Sequence, residues 1–97
     1  MSKTIIQFGY KNSNTMPKDI PLVDCRVLRN PYIPGVADDI LKEKVKYLPG
    51  FGDMVKAGVF LLRTNDTIGI GCLYGKHRSG AVAESIAKLI GAKIIKV

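Results

Sequence analysis

The chain has 97 residues, of which 46% are hydrophobic and 24% are charged. This length suits a single domain with one core, and the composition excludes an intrinsically disordered chain. The formal net charge of +7 favours anionic partners, such as nucleic acid, nucleotides, phosphorylated metabolites or an anionic surface.

Cysteine spacing and hydropathy exclude further classes of protein. Cys25 and Cys72 are far apart and lack the spacing of a zinc site, so we expect no metal. Neither a GxxxxGK[ST] nor a GxGxxG motif is present, so the sequence gives no support for nucleotide binding by either motif. No cofactor is expected. No apolar run is long enough for a signal peptide or a membrane span. We therefore expect a cytoplasmic protein with reduced thiols and no membrane contact.

Two strands and a helix are predicted in the first half of the chain. Residues 3–8 and 20–25 are short apolar stretches bounded by glycine or polar loops, which favours strands. Prolines prevent regular structure in residues 29–35. A helix then starts at Asp38 and extends to Pro49, with its apolar side chains on one face.

The second half alternates helices and strands. Residues 53–63 have apolar side chains at helical spacing, so a helix is favoured over a buried strand. Residues 67–72 form a strand whose two glycines indicate close approach of neighbouring backbone. A helix over 79–90, capped by Gly91, and a strand over 92–97 complete the pattern. This alternation predicts one α/β sandwich domain, residues 1–97, with a mainly parallel sheet.

The loop after the strand 67–72 has the composition of an anion-binding site. It lies before a helix N-terminus, whose free amides and dipole attract anions. Ligands of parallel sheets bind at the carboxyl ends of the strands, where the loops after Phe8 and Cys25 also lie. The predicted anion-binding residues of this loop are Cys72, Leu73, Tyr74, Gly75, Lys76, His77, Arg78 and Ser79.

The same loop fits the C-x-x-G-x-x-R-S spacing of cysteine-dependent phosphatases. In such a loop, backbone amides encircle a phosphate, glycine permits a turn with positive φ, and arginine binds the anion with two parallel hydrogen bonds. Cys72 would be the nucleophile, with Ser79 bonded to its thiolate and Arg78 as the phosphate clamp.

Evidence for catalysis is mixed at the level of sequence. A phosphatase needs a general acid for the leaving group, and Asp24, Asp53 and Asp66 are candidates without a recognisable acid-loop setting. Gly71 precedes the cysteine, where phosphatase families usually carry histidine. A binding role is therefore favoured over an enzymatic one.

Three blocks of the sequence resemble one known family. They are FGYK (residues 8–11), LVDCRVLRNPY (residues 22–32) and IGCLYGKHRSGAVAESIA (residues 70–87). In order and approximate spacing they resemble the C-terminal domain of the RNase adapter protein RapZ. The resemblance implies an α/β domain that binds small regulatory RNA, senses glucosamine-6-phosphate and self-associates into oligomers. The family's N-terminal P-loop domain has no counterpart here, so we expect the C-terminal module standing alone.

The resemblance also assigns residues outside the anion loop. Matches in the first two blocks are Lys11, Asp24, Arg26, Asn30 and Pro31. The histidine and glycine that follow the family's lysine are replaced by Asn12 and Ser13, and we count Lys11 and Asn12 among the anion-binding residues. The predicted RNA-binding residues are Lys11, Arg26, Arg29, Lys76 and Arg78. A shorter segment before the third block, and AKIIKV in place of the family's basic tail, reduce the charge available for RNA.

Three functions stay open from the sequence. The first is a phosphate-recognising module, a homo-oligomer that binds RNA, a small phosphorylated metabolite, or both. The second is a small cysteine-dependent phosphatase, and the third is a protein-interaction module without ligand chemistry. Tyr10, Tyr32 and Tyr74 could stack on bases or sugars, or simply pack. Cys25 is expected in the core, and a reversible disulfide with Cys72 requires that the two be adjacent.

Overall fold

The computed structural model describes residues 2–12, 14 and 16–97, so Ser13 lies outside the described residues. Within the described part, four strands and three helices follow in the order β1 (Thr4–Gly9), β2 (Leu22–Asp24), α1 (Asp38–Val45), α2 (Phe51–Thr64), β3 (Thr67–Cys72), α3 (His77–Ile90) and β4 (Lys93–Lys96). A short 3₁₀ turn, Cys25–Val27, follows β2 directly.

The strands form one sheet in the order β2-β3-β1-β4, and every described pairing is parallel. This confirms the predicted α/β fold with a parallel sheet. Parallel pairing brings the carboxyl ends of β1, β2 and β3 to the same edge, where the chain leaves them as loops. The predicted meeting of these three loops at one edge is therefore confirmed.

The core lies between one face of the sheet and α3. Ile5 on β1 pairs in register with Ile68 on β3, and Ile70 follows two residues later on the same face. These residues pack with Val82 and Ile86, and all five side chains are fully buried. Burial of each such side chain stabilises the fold by about 1.5–3 kcal/mol. α3 packs on β1, β3 and β4, and α1 and α2 pack on α3.

The other face of the sheet is organised around Phe8. Its ring lies against Gly69 and Gly71, and the Leu22 side chain also covers Gly69. The two glycines of β3 were expected to permit close approach of backbone. That interpretation is wrong, because the neighbours are side chains: a Cβ on Gly71 would overlap the Phe8 ring, and a Cβ on Gly69 would overlap the Leu22 side chain.

Several element boundaries differ from the sequence prediction by one to four residues. α1 ends at Val45 rather than at Pro49. The amides of Lys46 and Tyr47 donate to carbonyls three residues earlier in the chain, instead of the four residues of an α-helix. β2 ends at Asp24, and Cys25 begins the 3₁₀ turn. α3 begins at His77, two residues before the predicted start. The helix over 53–63 is confirmed as part of α2, and none of the described helices has the length and apolarity needed to span a membrane.

Candidate anion-binding site

The loop between β3 and α3 turns sharply at Gly75. Its φ of +73° lies in the left-handed region that favours glycine. A Cβ at this position would lie 2.7 Å from the Gly9 nitrogen and 2.8 Å from the Phe8 carbonyl carbon. Glycine is therefore required here for two reasons: the predicted turn with positive φ, and the close contact of the loop with β1.

β1 and the segment after it hold the loop in place. The amides of Tyr10 and Lys11 donate to the carbonyls of Cys72 and Leu73, both at 2.9 Å, which extends the parallel pairing beyond the sheet. The Gln7 Nε2 donates to the Gly75 carbonyl at 2.8 Å. The sequence analysis did not identify Gln7 as a residue that positions the loop. A glutamine within an otherwise apolar strand was the feature that could have indicated it. Its Oε1 is buried and has no hydrogen-bond partner among the described residues.

A cavity of about 390 Å³ opens at this edge of the sheet. The loop and the first residues of α3 form one side, α1 contributes an aspartate, and the proline-rich loop after the 3₁₀ turn contributes the remainder. The lining residues are Asn30, Tyr32, Asp38, Cys72, Tyr74, Lys76, His77 and Arg78. Five of the eight residues predicted for the anion loop therefore meet at one cavity.

Cys72 lies at the base of the cavity with its thiol surrounded by donors. Its Sγ is 3.2 Å from the Ser79 Oγ and 3.4 Å from the Ser79 backbone nitrogen. Burial alone would raise the pKa of the Cys72 thiol. Hydrogen bonds with the Ser79 hydroxyl and with the backbone amides of Ser79, Gly75 and Lys76 outweigh that effect and lower the pKa. The loop thus stabilises a negative charge at this sulfur.

Arg78 reaches the cavity from inside the protein rather than from its surface. The residue is only 8% exposed, and its Nη1 donates to the Leu28 carbonyl at 3.0 Å and to the Arg26 carbonyl at 3.4 Å. Both of these bonds use Nη1, and Nε and Nη2 form another edge of the guanidinium with two donors. Arg78 therefore stabilises the 3₁₀ turn through these hydrogen bonds, and its other edge can donate two parallel hydrogen bonds to an anion.

His77 and Asp38 both line the cavity and are joined by a hydrogen bond. The His77 Nε2 lies 2.8 Å from the Asp38 Oδ1 although 39 residues separate them in the chain. The hydrogen bond from His77 lowers the pKa of the Asp38 carboxyl, which keeps that group ionised. Asp38 was predicted only as a helix start. Its role at the site depends on the packing of α1 against α3, which no local pattern reveals.

Lys11, Asn12 and Leu73 line a second, smaller cavity of about 240 Å³. It shares Tyr74 with the first cavity, and the Lys11 Nζ lies 3.4 Å from the Tyr74 hydroxyl and 5.0 Å from the centre of its ring. The structure therefore brings Lys11 and Asn12 to the neighbourhood of the anion loop but not into the main cavity.

The remaining predicted contact residues lie outside the cavity. Arg26 binds both carboxylate oxygens of Asp24, at 2.7–3.2 Å, and its guanidinium stacks on Tyr10 at 3.7 Å from the ring centre. This bond lowers the pKa of Asp24. Arg29 is exposed and lines neither described cavity. Asp66 pairs with Lys3 at the opposite end of β3.

Cys25 is fully buried, and burial raises the pKa of its thiol to about 12. Both cysteines are free, so the disulfide considered from the sequence is not formed in this structure. Within residues 2–12, 14 and 16–97, no group of three or more histidine, cysteine or acidic side chains could hold a metal ion. Asp53, the third aspartate considered as an acid, lies in the first turn of α2 and outside the cavity.

The chain is similar over nearly its whole length to curated proteins that share the name nucleotide-binding protein. That of Pediococcus pentosaceus is 33% identical over 115 aligned positions, which cover 94% of this chain and 36% of the relative. Those of Halothermothrix orenii and Corynebacterium glutamicum are 37% and 36% identical and cover 96% and 90% of this chain. No protein-family model matches the chain.

The chain spans about a third of the length of these relatives. The alignments also run over 104–115 positions, more than the 97 residues of the chain, so the relatives carry residues inserted within the aligned region. This agrees with the shortened segment noted in the sequence. The chain is homologous to these nucleotide-binding proteins, and the similarity is consistent with a RapZ-like domain.

Proposed function

We propose that this chain is a phosphate-recognising binding module of the RapZ C-terminal type, and that its ligand is a small phosphorylated metabolite. The single observation that carries the proposal is the cavity at the carboxyl edge of the sheet, into which one loop presents Lys76, His77 and Arg78. A phosphorylated amino sugar resembling glucosamine-6-phosphate, or a nucleotide, belongs to the proposed class.

The chemistry of the lining supports two parts of such a ligand. The phosphate would be bound by Lys76, by the Nε–Nη2 edge of Arg78 and by the first amides of α3, where the helix dipole is positive. Asn30 and Asp38 on the facing wall offer an amide and a carboxylate, which suit the hydroxyl or amino groups of a sugar. A volume of about 390 Å³ is in the range of small-ligand sites.

The relatives support the class of ligand but not its identity. Their shared name states that they bind nucleotides, which are themselves phosphate esters. The loop described here gives this chain a way to hold such a phosphate without a P-loop of the GxxxxGK[ST] type.

RNA is the second ligand that the resemblance implies, and the geometry supports it less. Arg26 already satisfies Asp24 and stacks on Tyr10, so a phosphodiester would have to displace it from both partners. Lys11, which contacts Tyr74, and the exposed Arg29 are the other two cations outside the main cavity that were predicted to bind RNA. We keep RNA as an outcome of the test, with its strong dependence on salt as the signature.

The first experiment is thermal unfolding in the presence of inorganic phosphate, glucosamine-6-phosphate, glucosamine, AMP and a structured RNA. A ligand at 100 times its Kd stabilises the fold by about 2.7 kcal/mol. For a domain of this size, that corresponds to roughly 10–20 °C in Tm. We expect such a shift with a phosphorylated ligand and none with free glucosamine.

Two lysine variants make the test specific to the cavity. Lys76→Gln removes a cation that lines the cavity, whereas Lys56→Gln removes one exposed charge from α2. Loss of a charged hydrogen bond weakens binding at least about tenfold, so Lys76→Gln reduces the shift in Tm. Lys56→Gln leaves it unchanged. Equal loss in both variants would show attraction by net charge alone, and no shift with any ligand would favour the protein-interaction alternative.

A further inference from the structure

We propose that the cavity is also a catalytic site, in which Cys72 accepts the phosphoryl group of a small phosphomonoester and His77, positioned by Asp38, protonates the leaving oxygen. The inference rests on the proposed phosphate binding and goes beyond it. Its geometric basis is that a thiol, an imidazole and a guanidinium line one cavity and that each is held by its own hydrogen bonds.

The nucleophile is prepared by its surroundings. The Cys72 thiol donates to the Ser79 Oγ and accepts from the Ser79 amide. Burial raises the pKa of this thiol, but hydrogen bonds with Ser79 and with the Gly75 and Lys76 amides outweigh that effect and lower it. A cysteine that served only as a small core residue would show the opposite shift, as Cys25 does. A thiolate is the reactive form of cysteine toward phosphorus.

The general acid missing from the sequence interpretation is supplied by α1 and α3 together. Asp24 is bonded to Arg26, Asp66 is bonded to Lys3, and neither lines the cavity. The His77 Nε2 is bound to Asp38, so Nδ1 is the ring atom that remains to carry a proton to a ligand. The pair has the arrangement of a base oriented by a carboxylate.

The charges around these groups favour an anionic transition state. The titratable and charged groups that face the cavity are Asp38 from α1, Tyr32 from the proline-rich loop, and Cys72, Tyr74, Lys76, His77 and Arg78 from the loop and α3. Cations outnumber carboxylates among them, which suits a phosphoryl group in transfer.

The reaction balances with water as the only second reactant. The thiolate attacks phosphorus, the S–P bond forms and the ester P–O bond breaks, while the His77 imidazolium gives its Nδ1 proton to the leaving oxygen. The neutral imidazole then takes a proton from water as that water attacks the phosphocysteine. The S–P bond breaks, inorganic phosphate leaves, and the thiolate and the imidazolium are restored.

The test compares two substrates that differ in their need for an acid. Phenyl phosphate has a basic leaving group, whereas p-nitrophenyl phosphate leaves readily without protonation. We expect wild type to release inorganic phosphate from both. His77→Asn should lower turnover of phenyl phosphate by about 10²–10⁴-fold and turnover of p-nitrophenyl phosphate much less. Asp38→Asn should lower turnover of phenyl phosphate more than turnover of p-nitrophenyl phosphate, because His77 loses the partner that orients its ring.

The two cysteines provide the matched control. Cys72→Ser should abolish turnover of both substrates while phosphate still raises Tm, and Cys25→Ser, outside the cavity, should leave turnover unchanged. Mass spectrometry after acid quench should find phosphocysteine at Cys72 in wild type. Turnover that survives Cys72→Ser, or equal effects of His77→Asn on both substrates, would overturn the inference. A wild type that binds phosphate but hydrolyses neither ester would overturn it and leave the proposed function standing, and a wild type that does neither would overturn both.

Discussion

The contact between the anion loop and β1 can be measured with a pair of glycine variants. Gly75 and Gly91 have nearly the same backbone conformation, with φ of +73° and +74°. Their surroundings differ completely. An added Cβ at Gly91 has nothing within 4 Å, whereas at Gly75 it meets the backbone of Gly9 and Phe8.

Both variants to alanine share one cost and differ in another. The left-handed conformation costs alanine about 1–2 kcal/mol at either position. At Gly75, the distance of 2.7 Å to the Gly9 nitrogen must also open to an ordinary contact of 3.4 Å or more, and both partners are backbone that cannot rotate away. Such overpacking costs about 1–3 kcal/mol more. We therefore expect Gly75→Ala to be less stable than Gly91→Ala by that amount.

Urea unfolding followed by circular dichroism measures both free energies of unfolding. The difference predicts a Tm for Gly75→Ala at least about 4 °C below that of Gly91→Ala. Gly75→Ala should also bind phosphate more weakly, because separation of the loop from β1 moves the amides that face Cys72. Equal stability of the two variants would refute the reasoning, since it would mean that the loop does not rest on β1.

Two further predictions concern the cysteines and α2. Iodoacetamide should alkylate Cys72 faster than Cys25. Hydrogen bonds lower the pKa of the Cys72 thiol, whereas burial raises the pKa of the Cys25 thiol to about 12, so Cys72 has the larger thiolate fraction at any given pH. Peptide mapping checks this, and labelling of Cys25 at an equal rate would contradict it. Gly52→Ala should stabilise α2 by about 0.4–1 kcal/mol, since the added methyl group meets nothing. Gly58→Ala should destabilise it, because the methyl group meets the Ile86 side chain, and Ile86→Val should recover part of the loss in thermal unfolding.

The sequence predicted the elements of this fold well because each has a local cause. The apolar stripe of α3 and the short apolar strands are visible as periodicity, and their alternation leads to a parallel sheet. The loop motif was also visible, since Cys72, Gly75 and Arg78 lie within seven residues. The predicted boundaries were wrong where only hydrogen bonding determines them. At the end of α1, for example, the amides that follow Val45 donate to carbonyls three residues earlier.

The partners of the loop could not be predicted, because they come from distant segments. Asp38 reaches His77 only after α1 has packed on α3, and Gln7 reaches Gly75 only after β1 has paired with β3. Arg78 was predicted only as a residue that binds a phosphate or RNA. Its bond to the Leu28 carbonyl depends on β2 ending early, so that the chain turns back toward α3.

The two cysteines show why the surroundings, rather than the residue type, decide the chemistry of this edge of the sheet. Cys25 and Cys72 follow or end neighbouring strands, and both are at most 2% exposed. Desolvation therefore raises the pKa of each thiol, and at Cys72 hydrogen bonds outweigh that effect. Cys72 has these hydrogen bonds because Gly75 turns the loop amides inward and α3 begins there. The contacts that hold this loop against β1 thus also fix the positions of the donors that stabilise a negative charge at its centre, whether that charge belongs to a thiolate or to a bound phosphate.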